Sequence, residues 1–138
     1  MINVQLEKFA YMPTKEHAAD AGWDLYAVED LYIEPRSSVL VDTGVHIAIP
    51  YGCVGFIKSR SSMATKKNIM SDAGVIDSGY TGSIRVKLYN QSNQRQSIKK
   101  GDRICQLVIL ETNMERLCEV KSLENTERGN NGFGSTGR

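Results

Sequence analysis

The chain reads as all-β, a jelly-roll-like β-barrel or sandwich with one short helix, on three observations. Apolar residues alternate with polar ones at period two in short pieces, the pattern of strands with one buried face. Clusters of turn-forming residues separate the pieces at spacings of about ten residues, as in sandwiches and jelly rolls. Helix formers are concentrated in two short stretches only.

In chain order, the alternating pieces lie at 4–6 (VQL), 39–41 (VLV), 45–49 (VHIAI), 54–57 (VGFI), 84–88 (IRVKL) and 104–109 (ICQLVI). Turns fall at 34–37 (EPRS), 50–52 (PYG), 77–79 (DSG) and 99–102 (KKGD), where Pro presets φ and Gly or Asp accepts conformations that other residues resist. Residues 74–82 read as a β-hairpin turned by Asp77 to Gly79. Residues 62–68 and 14–21 hold enough helix formers for a turn or two, the first behind serines able to cap it. From 128 onward, four glycines and a single aromatic ring leave too little apolar surface for a core. The expected division is a β-barrel domain over 1–125 and a flexible Gly-rich C-terminal arm over 126–138.

A length of 138 residues, 41% hydrophobic and 24% charged, suits one domain that buries a core without disulfides or structural metal. Lys and Arg number 17 against 16 Asp and Glu, a net +1. No long-range field draws nucleic acid or an anionic membrane, so neither is an expected partner, and an anion must be held locally. No apolar run reaches membrane length, and the first residues lack a basic stretch followed by an apolar one. A cytoplasmic or nuclear chain, not a secreted one, is expected. Cys53, Cys105 and Cys118 are an odd number in apolar-patterned segments and read as reduced core residues. With no Cys-x-x-Cys spacing, and His17 and His46 far apart in sequence, no zinc site is expected.

Several segments carry chemistry beside a plainer structural use. Arg60, Ser61 and Ser62 follow a strand, where a guanidinium and two hydroxyls suit an anion, although serine at a helix start is routine. Asp77 is either a turn residue or a loop-tip carboxylate that takes a proton from water, with Tyr80 supplying a flat face. Gln106 interrupts an apolar strand, so its amide needs partners if buried; a ligand is one, solvent at a sheet edge another. The tail bracketed by Arg128 and Arg138 is either a solvated terminus or a lid whose glycines close backbone N–H groups around phosphate oxygens. In the second reading, Phe133 lies over a nucleobase and stacks on it.

Together and in order, these segments resemble the five motifs of the dUTPase family over most of the chain from 21 to 137. The motifs are AGWDLYA at 21–27, RSSMA at 60–64, GVIDSGYTG at 74–82, GDRICQL at 101–107 and RGNNGFGSTG at 128–137. Trp23 stands where a smaller aromatic is commoner, and Ser59 where proline or another small residue often precedes the arginine.

The resemblance implies a homotrimer whose sites each combine motifs of more than one subunit, and hydrolysis of dUTP to dUMP and pyrophosphate. It implies that Asp77 activates the water attacking the α-phosphorus and that Ser61 donates to phosphate oxygens. Arg60, Ser62, Gln106 and Arg128 would grip the triphosphate, while the backbone of Gly74, Val75 and Ile76 reads uracil and Tyr80 packs under the deoxyribose. Phe133 would stack on uracil with Gly132, Gly134, Ser135 and Thr136 around the phosphates. Mg²⁺ would be held chiefly by phosphates and water, with Asp24 near its water shell or bracing the trimer. Such an enzyme controls the dUTP level and supplies dUMP for dTMP synthesis. The related dCTP deaminases need a glutamate downstream of 74–82, which 82–88 (GSIRVKL) lacks. A trimer kept as a regulatory platform is the reading from another class.

Overall fold

The computed structural model of the chain describes residues 1–132, and among them eleven strands and one helix alternate with short turns. The largest sheet has four antiparallel strands in the order β2 (Gly22–Tyr26), β11 (Arg103–Glu111), β6 (Cys53–Lys58) and β8 (Val75–Asp77). A second sheet joins β4 (Ser38–Asp42), β9 (Arg85–Asn90) and β7 (Ile69–Asp72). Two ribbons complete the layers: β1 (Val4–Leu6) with β5 (Val45–Ile47), and β3 (Leu31–Ile33) with β10 (Gln96–Ile98). The all-β, jelly-roll-like expectation is met, as an open set of packed sheets rather than a closed barrel.

Period-two burial builds the core. In β9, Val86, Leu88 and Asn90 point inward while Arg85, Lys87 and Tyr89 are exposed. In β6 and β11, Gly55, Ile57, Cys105 and Leu107 face the core. Asn90 is the one amide buried there; its Nδ2 donates to the carbonyls of Ile33, Glu34 and Gln94 at 2.9, 3.1 and 2.8 Å, joining the β3–β10 ribbon to the second sheet.

All six alternating pieces fall on strands apart from Ala48, Ile49 and Ile84, which lie just beyond strand ends, and the four turn clusters fall on turns. Four expectations need correction. The stretch 14–21 is not helical: Thr14 bridges Asp24 in antiparallel fashion. Only a single turn follows, closed by Asp20 N–H to His17 O and by His17 N–H to the Asp20 carboxylate. Helix α1 (Ser61–Lys67) starts one residue early behind Arg60, with no side-chain cap, so the serines lie inside it. Residues 74–82 do not pair as a hairpin: β8 adds to β6, while the returning leg joins β5 through Ile84 and continues as β9. Cys105 is buried and Cys53 half-buried, but Cys118 is exposed, because residues 112–132 run on past the last strand with almost no contact to the body. No helix among the described residues is long and apolar enough to cross a membrane.

Candidate active site

The outward face of the four-stranded sheet carries the predicted chemistry in three rows, set by strand register. Asp24, Gln106 and Lys58 form one row at one end. Gly22, Val108, Phe56 and Val75 form the middle row, and Leu110, Val54 and Asp77 the third.

At the first row, the residue after β6 is Ser59, which exchanges two hydrogen bonds with Ser71. The Ser71 N–H donates to Ser59 Oγ at 2.7 Å, and the Ser59 hydroxyl donates to Ser71 O at 3.3 Å. That clip directs Arg60 back toward β2, where its Nε donates to Asp24 Oδ1 at 2.8 Å. Arg103 Nη1 donates to Asp24 Oδ2 at 3.3 Å and to Glu16 Oε2 at 3.1 Å. Asp24, its side chain 13% exposed, thus spends both oxygens on two guanidinium groups and braces Arg60 within one chain. A charge-assisted pair of this kind is short and directional. Gln106 Nε2 donates to Ser59 O at 3.2 Å. Its amide lies against Gly22, where a side chain would have no room: a Cβ there would meet Gln106 Oε1 at 2.5 Å. Asp24, Arg60, Arg103 and Gln106 line a cleft of about 400 Å³ with Ser61, Glu16 and Asp20. Ser62 is exposed beside it in the first turn of α1.

At the opposite end, a pocket of about 250 Å³ is lined by Ala73, Val75, Ile76, Asp77, Tyr80, Ile84 and Arg85. Gly74, at φ 69, turns the chain into β8, its N–H held by Asp72 Oδ1 at 2.7 Å. The Tyr80 N–H donates to Asp77 O at 3.0 Å, closing the turn, and the Tyr80 hydroxyl donates to Ser83 O at 2.9 Å. The ring passes over Gly82, where a Cβ would meet it at 2.5 to 3.0 Å. The returning leg is held by Thr43, whose N–H and hydroxyl both donate to Ile84 O. Asp42 accepts from the Ser83 hydroxyl and from Arg85 Nε. Burial works to raise the Asp42 carboxyl, but hydrogen bonds from Ser83, Gly44 and Arg85 outweigh it and hold it below the ordinary range.

The structure therefore gathers Asp24, Arg60, Ser61 and Gln106 in one place and Val75, Ile76, Asp77 and Tyr80 in another. Asp77 lies opposite Val54 and Gln106 opposite Lys58, four residues along β6 and two strands across. At about 3.3 Å per residue and about 4.8 Å per strand, their Cα atoms stand about 16 Å apart. The apolar middle row lies between them, with Phe56 and Val108 half-buried and Val75 exposed. Arg128 lies in neither pocket; its Nε donates to Asn131 O at 3.1 Å, next to Gly132. Phe133, Gly134, Ser135 and Thr136 lie outside the described residues. Among the described residues, no three His, Cys, Asp or Glu side chains cluster as metal ligands.

Arg103, Glu16 and Asp20 belong to the cleft and were not singled out from sequence. Arg103 stands inside GDRICQL, so its neighbourhood was legible, while Glu16 and Asp20 reach the cleft only through the fold of the loop before β2.

The family model described as dUTPase matches residues 8–137. A deoxyuridine 5'-triphosphate nucleotidohydrolase of Mus musculus is 43% identical over 135 residues, covering 98% of this chain and 83% of that one. A probable deoxyuridine 5'-triphosphate nucleotidohydrolase of Schizosaccharomyces pombe is 47% identical over 133 residues, covering 96% and 95%. Among solved structures, a Staphylococcus bacteriophage 80alpha dUTPase with dUpNHpp superposes with a TM-score of 0.94 at 31% identity, covering 100% of this chain and 99% of that one. Near-complete coverage by the family model and by relatives well above 30% identity leads to one conclusion: the chain belongs to the dUTPase family.

Proposed function

We propose that the chain hydrolyses dUTP to dUMP and pyrophosphate at sites completed between copies of itself in a homotrimer. The observation that carries this reading is the division of the candidate site. A general base must lie within hydrogen-bond reach of the water it activates. On one chain Asp77 and Gln106 line separate pockets, their Cα atoms about 16 Å apart with an apolar row between them, so each pocket holds only part of the chemistry. The row between them (Phe56, Val75 and Val108) is the kind of surface a second copy covers, and the reading requires the Asp77 end of one copy to meet the Arg60 end of another.

In this reading, Asp77 takes a proton from water as the water oxygen bonds to the α-phosphorus, and the bond from that phosphorus to the bridging oxygen breaks, releasing pyrophosphate. Ser61 donates to phosphate oxygens as charge develops on them. Arg60, Ser62, Gln106 and Arg128 bind the triphosphate, and Asp24 positions Arg60. Backbone groups of Gly74, Val75 and Ile76 read uracil, and Tyr80 supports the deoxyribose. Residues 1–125 form the catalytic domain, and 126–138 close over the site, Phe133 on the base and Gly132, Gly134, Ser135 and Thr136 around the phosphates. Mg²⁺ would be held chiefly by the triphosphate and water, with Asp24, whose oxygens are taken by Arg60 and Arg103, no nearer than its water shell. Bound with the triphosphate, Mg²⁺ supplies charge neutralisation. The activity keeps dUTP low and supplies dUMP for dTMP synthesis.

The test is pyrophosphate release from dUTP, dCTP, dTTP and UTP with Mg²⁺, run beside Asp77→Asn and Ser61→Ala. Release from dUTP alone is expected, falling about 10²- to 10⁴-fold in Asp77→Asn. When the two inactive variants are mixed, unfolded and refolded together, about one quarter of wild-type activity should return, since in random trimers that fraction of shared sites is intact. No recovery, with trimers formed, refutes the shared site; ammonia from dCTP would make the chain a deaminase.

A further inference from the structure

The Asp77–Tyr80 pocket is fastened to the rest of the subunit by a side chain that the chemistry above does not use. His46 stands on the outward face of β5, between buried Val45 and Ile47. Its Nδ1 lies 2.8 Å from the carbonyl oxygen of Thr81, and its Nε2 lies 3.1 Å from Glu7 Oε1. Thr81 is the residue between Tyr80 and Gly82, whose missing side chain lets the tyrosine ring lie where it does. We propose that His46 is a positioning residue for nucleotide binding, tying the Tyr80–Gly82 turn through the Thr81 carbonyl to the β1–β5 ribbon and Glu7. This rests on the proposed role of Tyr80 and deepens it.

The geometry sets the protonation the tie requires. A carbonyl and a carboxylate can only accept, and a neutral imidazole carries one N–H. Satisfying both partners takes the imidazolium form. The Thr81 carbonyl first, then the Glu7 carboxylate, raise the imidazole above its ordinary value against the opposing effect of burial, and the fields of Glu7 and Asp42 add to this. The residues on and beside β1 and β5 around the adjoining cavity (Asn3, Val4, Gln5, Ile47 and Ala48) bring no charge. When the proton leaves, the ring keeps one N–H for two acceptors. The carboxylate is the stronger acceptor, so the Thr81 oxygen is left facing a nitrogen lone pair and the turn loosens. Nucleotide affinity in this chain therefore falls as pH rises through the His46 midpoint.

Glu7→Gln separates this from a merely structural role, because a glutamine amide can donate to Nε2 and so lets a neutral ring keep its N–H on Thr81. The experiment follows the Gly82 backbone amide and the His46 ring by nitrogen NMR on the full chain between about pH 5.5 and about pH 9, with KM and kcat for dUTP in parallel. Expected are a Gly82 shift with the same midpoint as His46, above about 6.5, and its absence in His46→Asn. Wild-type KM should rise about three- to tenfold through that midpoint relative to Glu7→Gln, in which substrate titration is identical, with kcat changing less. A Gly82 amide that ignores His46, or a KM ratio flat with pH while both proteins turn over dUTP, overturns the proposal. If no dUTP is turned over at any pH, the proposed function fails, and the Gly82 shift still decides the tie.

Discussion

Gly22 pairs with Val108 at the edge of the four-stranded sheet, and its missing side chain is the space that the Gln106 amide fills. In Gly22→Ala, the new Cβ would sit 2.5 Å from Gln106 Oε1, 3.2 Å from Cδ and 3.1 Å from Cβ. Rotating the glutamine relieves the first two contacts but not the third, because the Cβ of Gln106 is fixed by the strand. Two effects follow. The strands must shift by a few tenths of an ångström, an overpacking cost of about 1–3 kcal/mol. The amide also leaves Ser59 O and its place in the cleft. If Gln106 donates to a phosphate oxygen, losing a hydrogen bond to a charged group costs about 1.5–3 kcal/mol, or about ten- to a hundredfold in kcat/KM. The assay is urea unfolding and dUTP kinetics for Gly22→Ala, Gln106→Ala and the double variant. If Gly22 acts through Gln106, the double variant is no worse in kcat/KM than Gln106→Ala. A folded Gly22→Ala with wild-type kcat/KM, or strictly additive losses, would refute the reasoning.

Other expectations concern stability. Asn90→Leu removes the donor to three carbonyls, of which that of Ile33 is buried, and should destabilise the fold by about 3 kcal/mol; an unchanged urea midpoint would count against Asn90 as the link between sheets. Because the Asp42 carboxyl is held below its unfolded value of about 3.9, its contribution is present above that pH and lost as pH falls through the folded value. Asp42→Asn should therefore have a lower Tm than wild type at neutral pH, the two curves converging below about pH 4. A Tm difference that stays constant into acid would show that the ionised form of Asp42 contributes nothing. Ser59→Ala breaks the clip that aims Arg60, and should raise KM for dUTP about three- to tenfold; equal KM for the two proteins would leave the clip without a role in binding.

Strand positions were legible because alternation at period two is local: residues 84–88 bury and expose side chains in turn by their own pattern, whatever they pair with. The chemistry-bearing segments were legible for the same reason, since AGWDLYA, RSSMA, GVIDSGYTG and GDRICQL are contiguous strings. Pairing is not local. The 74–82 segment has the composition of a hairpin, but β8 gains more by joining β6, and Ile84 by joining β5, because both then bury their isoleucines. The stretch 14–21 has helix formers, yet the Thr14 bridge to Asp24 fixes its start and a single turn from His17 to Asp20 is all that follows. Likewise the contacts of Asp24 with Arg60 and Arg103, of Gly22 with Gln106 and of His46 with Thr81 span 36, 79, 84 and 35 positions of the chain. The sequence by itself determined the strands, the turns and which residue types carry chemistry. Only the tertiary structure decided which of them meet, and that one subunit keeps Asp77 and Gln106 apart, because register between strands depends on every side chain that packs across them.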